Sequence, residues 1–143
     1  MLQPFVRSAV QRLVGQNGRL LIRNVKHNSN GGATTACFDV TESKVPELKG
    51  HFPKAPLLPA VLSLEALVQT AAVRLASKND RPLEIVKVTK AKFRKAIAPP
   101  RYLLVHVGDC GQDEKSFVFW GKITSNDDTV AEAEFAMRFL NSS

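Results

Sequence analysis

Cysteine is scarce in this chain. Cys37 and Cys110 are the only two among 143 residues, far apart and in no metal-ligand spacing. Neither a disulfide framework nor a zinc site is expected, and two free thiols suit a reducing compartment. Long apolar runs are missing as well: a membrane-spanning helix needs ~20 such residues. The longest candidate, Ala60–Val73, is about 14 residues and carries Glu65 and Gln69, which reads as a buried core helix. Aromatic residues make up only 7% and the bases are dispersed. With no finger, helix-turn-helix or ribonucleoprotein signature, a nucleic-acid binder is not expected. Acid is absent from the N-terminal stretch: no Asp or Glu precedes Asp39, while Arg7, Arg12, Arg19, Arg23 and Lys26 do.

What is present suits one globular domain spanning 1–143. The length allows a real core, with 44% apolar and 23% charged residues. The net charge of +7 points to an acidic partner or anionic ligand. The densest basic run is Lys87, Lys90, Lys92, Arg94, Lys95 and Arg101, which fits a solvated strand face or a docking surface. In residues 1–18, Phe5, Ala9 and Leu13, flanked by Val6, Val10 and Val14, form a helical apolar stripe. That pattern fits an amphipathic helix covering the end of a sheet, and equally a transit segment. The expected location is the cytoplasm, or an organelle such as the mitochondrion if residues 1–18 are a transit peptide.

Along the chain, Arg19–Lys26 reads as a strand, Asn28–Gly32 as a hairpin turn, and Ala33–Thr41 as a half-buried strand. Glu42–Pro59 contains five prolines and glycines, so an irregular ordered loop is expected. A helix starts after Pro59, apolar nearly all round, and ends by Lys78–Pro82. Four strands follow: Leu83–Phe93, Arg101–Gly108, Ser116–Thr124 and Thr129–Leu140. The polar segment Asp109–Lys115 is expected to be a turn that contains Cys110. The last strand has helix-forming composition, yet Ala131, Ala133, Phe135, Met137 and Phe139 alternate with Glu132, Glu134 and Arg138. Period two decides for a strand. The expected class is α+β, one long helix wrapped by about six antiparallel strands.

The chemistry concentrates in Leu48–Ala72. Glu65 is the one acidic side chain between Leu48 and Asn79. Buried among leucines, it could hold a proton near neutral pH; the alternatives are a glutamate turned toward solvent, or one paired with Arg74 or a lysine. His51, between Gly50 and Phe52–Pro53, is either a rigidly held general base or an ordinary loop histidine. His27 and His106 have no such setting. The free N–H groups at Pro59–Ala60 offer a site for a developing oxyanion. Base, buried acid and oxyanion donor together suit proton abstraction beside a carbonyl with loss of a leaving group.

The run GHFPKAPLLPAVLSLEALVQTAAV (Gly50–Val73) resembles the signature of the FabZ/FabA-type β-hydroxyacyl-acyl carrier protein dehydratases, a GHFPGxPxMPGV loop followed by a helix bearing LEAxAQ. His51 and Glu65 stand fourteen residues apart, as in that family, and Gln69 falls on its glutamine. More faintly, Arg19–Val25 looks like the opening strand, Lys92–Lys95 with Ile97 and Pro99 like a KFRxxVxPGD segment, and Ala131–Phe135 like the closing strand.

The resemblance implies a hot-dog fold and a homodimer or a larger assembly of dimers, with each site shared between two protomers. His51 would take the Cα proton, Glu65 of the partner subunit would protonate the leaving hydroxyl, and the Ala60 N–H would polarise the thioester carbonyl. Phe52, Pro53 and Leu58 would line the acyl tunnel, and Gln69 would support the carboxyl. It further implies an acyl group carried on the phosphopantetheine of an acidic acyl carrier protein, docked by Lys92, Arg94 and Lys95, with no metal or redox cofactor. The products would be trans-2-enoyl thioesters for fatty acid or related lipid or polyene biosynthesis. Lys54 and Ala60 stand where the family has glycines, Pro100–Arg101 replaces Gly-Asp, Gln16–Arg19 stands at an HRYP-like motif, and Arg23 replaces an acid. These departures bear on substrate more than on reaction class. A thioesterase on the same fold and a non-catalytic acyl-carrier-binding module are the competing readings.

Overall fold

The computed structural model describes residues 3–13, 19–28, 32–49, 56–76, 78–112 and 115–140. A helix, α1 (Gln3–Gln11), is followed by strands β1 (Ile22–His27) and β2 (Thr34–Val40), a short 3-10 turn at Pro46–Lys49, and the long helix α2 (Ala60–Ala76). Strands β3 (Leu83–Phe93), β4 (Arg101–Gln112), β5 (Phe117–Ser125) and β6 (Asp128–Phe139) complete the chain. All six strands form one sheet in the order β1-β2-β4-β5-β6-β3, antiparallel at every pairing. The chain leaves β2, runs along the sheet as α2, and reaches the far edge as β3. This is the helix-in-sheet arrangement that the periodicity predicts.

The core lies between α2 and the inner face of the sheet. From the helix come Ala66, Leu67, Val68, Ala71, Ala72 and Val73, all without solvent exposure. Facing them are Phe38 and Val40 of β2, Val105 and Val107 of β4, Phe119 and Ile123 of β5, and Phe135 and Met137 of β6. In β6 the alternation proposed from the sequence places Ala131, Ala133, Phe135 and Met137 inside, overriding the helical propensity of AEAEF. The β5–β6 hairpin turns at Asn126 and Asp127, with φ of 49° and 70°. Two successive left-handed residues match the twist of the strands they join.

Several expectations need correction. Asp109–Gln112 is not a turn but the outer end of β4, so Cys110 lies in a strand, exposed. That end is solvated on both faces, hence its polar composition, and a register shift between Asp109 and Gly111 absorbs the irregularity. The proline-rich loop holds the turn Pro46–Lys49. Arg19–Leu21 stands outside β1 because the Leu21 N–H bonds the Gln69 side chain instead of a strand. In α1 the buried stripe is Val6, Ala9 and Val10, continued by Leu13, while Phe5 faces outward. The α1 helix packs on α2 and β1. Asn28–Gly32, Val14 and the QNG of the opening segment fall wholly or partly outside the described residues. No helix among the described residues is long and apolar enough to cross a membrane.

At Gly121 the helix approaches the sheet closely. A Cβ there would stand 2.7 Å from Leu67 Cδ2, which has no solvent exposure into which to retreat. Gly121→Val should therefore cost roughly 1–3 kcal/mol through overpacking, read as a lowered urea midpoint at unchanged slope.

Candidate active site

Of the residues singled out from the sequence, His51, Phe52 and Pro53 lie outside the described residues, as does Lys54. Their flank is described. Leu58 is buried, and its N–H donates to the Ile97 carbonyl at 2.8 Å, tying the loop's end to the segment after β3. One residue separates it from Ala60, the exposed first residue of α2. The first-turn N–H groups of a helix have no partner within it, so Ala60 presents a donor at an accessible helix start.

Glu65 sits one and a half turns further along. It is half-buried, and its Oε1 is buried with no hydrogen-bond partner. Burial pushes its pKa above the ordinary carboxylate range; the Arg19 cation opposes this and the Glu47 carboxylate adds to it. Pairing with Arg74 does not occur. That guanidinium holds Asp109 at two points, both 3.0 Å, and donates to Thr34 Oγ1 at 2.9 Å and the Gly32 carbonyl at 3.2 Å. Glu65 is thus half-buried, with one carboxyl oxygen enclosed, and is not paired with Arg74.

Gln69 plays a different part from the expected one. It is fully buried and donates to the Arg19 carbonyl at 2.7 Å while accepting from the Leu21 N–H at 2.9 Å. Its amide clamps the irregular segment entering β1 onto α2 and makes no bond to Glu65. A buried glutamine must satisfy both ends of its amide, and the backbone of residues 19–21 does so.

Sequence reasoning missed the ion pair beside this clamp. Arg19 Nη1 and Nη2 donate to Glu47 Oε1 and Oε2 at 2.7 and 2.5 Å, with both side chains about one-third exposed. Glu47 is correspondingly held below the usual carboxylate range, chiefly by that hydrogen bonding. The partners are 28 residues apart, and no local pattern announces them.

The basic run on β3 is partly neutralised from within. Arg94 bonds Glu132 and Lys95 bonds Asp128, while Lys92 stands opposite Glu132 in register and Lys90 opposite Glu134. Lys90, Lys92, Arg94 and Lys122 nevertheless rim a groove of about 240 Å³ floored by Trp120 and Gly121. Exposed pairs of this kind are screened by solvent and contribute little to stability. His27 and His106 bond threonine hydroxyls, and burial holds both below the ordinary histidine pKa.

With this geometry in place, residues 26–134 match the ApeI-like family, described as ApeI dehydratase. The chain belongs to this ApeI-like dehydratase family. It is also 32% identical over 127 residues to the 3-hydroxyacyl-(acyl-carrier-protein) dehydratase FabZ of Chlamydia pneumoniae, covering 85% of this chain and 82% of that protein. Among solved structures, the dehydratase heterocomplex ApeI:P of Xenorhabdus doucetiae superposes with a TM-score of 0.73 at 17% identity, over 94% of this chain and 91% of that one. The fluoroacetyl-CoA-specific thioesterase FlK does so at 0.63 and 12%, over 80% and 90%. At such identities the likeness speaks for the hot-dog fold, which ApeI-like dehydratases share with thioesterases.

The raised pKa of Glu65 carries a sign. Below the ordinary glutamic acid pKa the group is protonated in both folded and unfolded chains and has no effect. As pH rises through the folded value, the unfolded chain has already released the proton, so folding stability is lost. The melting temperature of Glu65→Gln relative to the unmodified protein should therefore increase as pH rises above the ordinary glutamic acid pKa. A pH-independent difference in calorimetry would show an ordinary carboxyl.

Proposed function

We propose that this protein removes water from β-hydroxyacyl thioesters carried on the phosphopantetheine of an acyl carrier protein, giving trans-2-enoyl thioesters for fatty acid or related lipid or polyene synthesis. The observation that carries the reading is the Glu65 carboxyl, with an oxygen buried and unpartnered in an apolar helix. Burial holds the pKa of such a group above the ordinary carboxylate range, and in its protonated form it can give its proton to a departing hydroxyl. Membership of the dehydratase family supports the reaction class.

In the proposed step, His51 takes the proton from Cα and the electron pair forms the Cα–Cβ double bond. The Cβ–O bond breaks as Glu65 protonates the hydroxyl, and water departs. The enzyme is left with an imidazolium and a carboxylate, which return to their starting states by one proton transfer. The Ala60 N–H stabilises the enolate-like oxygen of the thioester as charge builds there. Phe52, Pro53 and Leu58 line the acyl path. The chemistry is proton transfer throughout and calls on no metal or redox cofactor.

The site is proposed to be shared by two copies, His51 of one facing Glu65 of the other. Strand β3 supports this: it ends the sheet order, and Val86, Val88 and Phe93 on it are 40–46% exposed. An edge strand of eleven residues with exposed apolar side chains invites pairing. Lys92, Arg94 and Lys95 at its end are the proposed contacts for the acidic carrier.

Incubation with a 3-hydroxyacyl thioester, following enoyl absorbance and free thiol in parallel, tests the reaction. Enoyl product is expected; thiol release without it would establish a thioesterase, and neither product a binding module. His51→Ala and Glu65→Gln should each lower turnover at least ~10²-fold. Wild-type rates in either variant would remove these roles.

A further inference from the structure

On the reading just given, Glu65 must meet the substrate with its proton in place, and the charges around it decide whether it does. Among the described residues, two charged side chains act on it: Arg19, just ahead of β1, and Glu47 in the turn Pro46–Lys49. The charged groups on the other packed elements are turned elsewhere. Arg74, further along α2, holds Asp109 of β4, and Arg23 of β1 holds Asp39 of β2. Arg7 on α1 is exposed. His51, on the proposed reading, arrives from the second copy.

The position of Arg19 is not accidental. Gln69 binds its carbonyl and the Leu21 N–H, fixing that stretch of backbone on α2 one turn beyond Glu65. A guanidinium anchored there would ordinarily close on a half-buried carboxylate, because an ion pair in a poorly solvated setting is far stronger than in water. Instead, Nη1 and Nη2 go to Glu47, and Glu65 Oε1 remains without a hydrogen bond.

We propose that Glu47 is a positioning residue: by holding the Arg19 guanidinium in a two-point ion pair, it keeps that cation off Glu65 and leaves Glu65 a proton donor. Glu47 touches no substrate. It acts through Arg19, and the Gln69 clamp fixes the distance over which it acts. The pair Arg19–Glu47 is nearly neutral as a unit, so the surroundings of Glu65 stay apolar in effect. Taking either partner away breaks that balance, in opposite directions.

Three variants test this: Glu47→Gln, Arg19→Met and the double variant, each checked for folding by circular dichroism. Two readouts apply, the carbon-13 NMR titration of the Glu65 carboxyl and the pH profile of dehydration. In Glu47→Gln the Glu65 titration and the alkaline limb of turnover should both move about one pH unit lower, a shift typical of a freed neighbouring cation. Turnover above that limb should fall roughly tenfold, while the plateau at lower pH holds. Arg19→Met should move both upward, and the double variant should return them close to the unmodified protein.

General damage to the fold cannot produce shifts of opposite sign, and should one single variant fail to fold, the other still gives its sign. Coincident titrations in the folded variants, or shifts of one sign in both, would overturn the role of Glu47. Shifts as expected in a protein that forms no enoyl thioester would retain that role while rejecting the proposed reaction.

Discussion

Helix α2 has almost no face left for water, and a carboxyl group within such a helix has few places to go. Twelve of its seventeen residues are buried, and the close approach at Gly121 leaves the helix no slack against the sheet. Glu65 is therefore held in a poorly hydrated setting by packing that has nothing to do with its own chemistry. Its reluctance to ionise follows from the apolar helix, and the apolar helix follows from the need to fill a sheet that curls around it. Along and beside the same helix lie an accessible helix start at Ala60, a clamp at Gln69, and the Arg19–Glu47 ion pair.

Much of this was readable from residue order alone, and the parts that were not share a physical cause. The alternation in β6 and the absence of Gly and Pro from α2 are local signals, repeated over ten or more residues, and they fixed the architecture. Glu65 stood out because no other acid accompanies it between Leu48 and Asn79. By contrast, Asp109–Gln112 looked like a turn because a strand end projecting beyond the core has no apolar face to display. Arg19–Leu21 looked like strand because its composition is β-like, while its backbone is claimed by a side chain 48 residues away. The Arg19–Glu47 pair and the cross-strand partners of Arg94 and Lys95 are contacts between distant segments. No periodicity encodes these. The family motif, for its part, located Gln69 correctly but suggested the wrong neighbour for its amide.

Charge is distributed with a similar division of labour. Lys90, Lys92, Arg94 and Lys95 read as a dense basic run, yet β6 supplies Asp128, Glu132 and Glu134 beside it. The excess of base over acid is thus smaller on this surface than the linear sequence suggests. What remains is a groove whose ion pairs are exposed and weak, which suits the transient contact proposed for the carrier. A surface of unopposed lysines would hold an acidic protein longer and with less discrimination.

The floor of that groove has a practical side. Trp120 is the only tryptophan in the chain, and it lies flat over Gly108 of the neighbouring strand, where any side chain would collide with the indole. It is partly open to solvent beside Lys90, Lys92 and Arg94. All indole emission from this protein thus originates at a single spot on the outer surface of the sheet, and the molecule carries its own fluorescent reporter beside the residues proposed to meet the carrier.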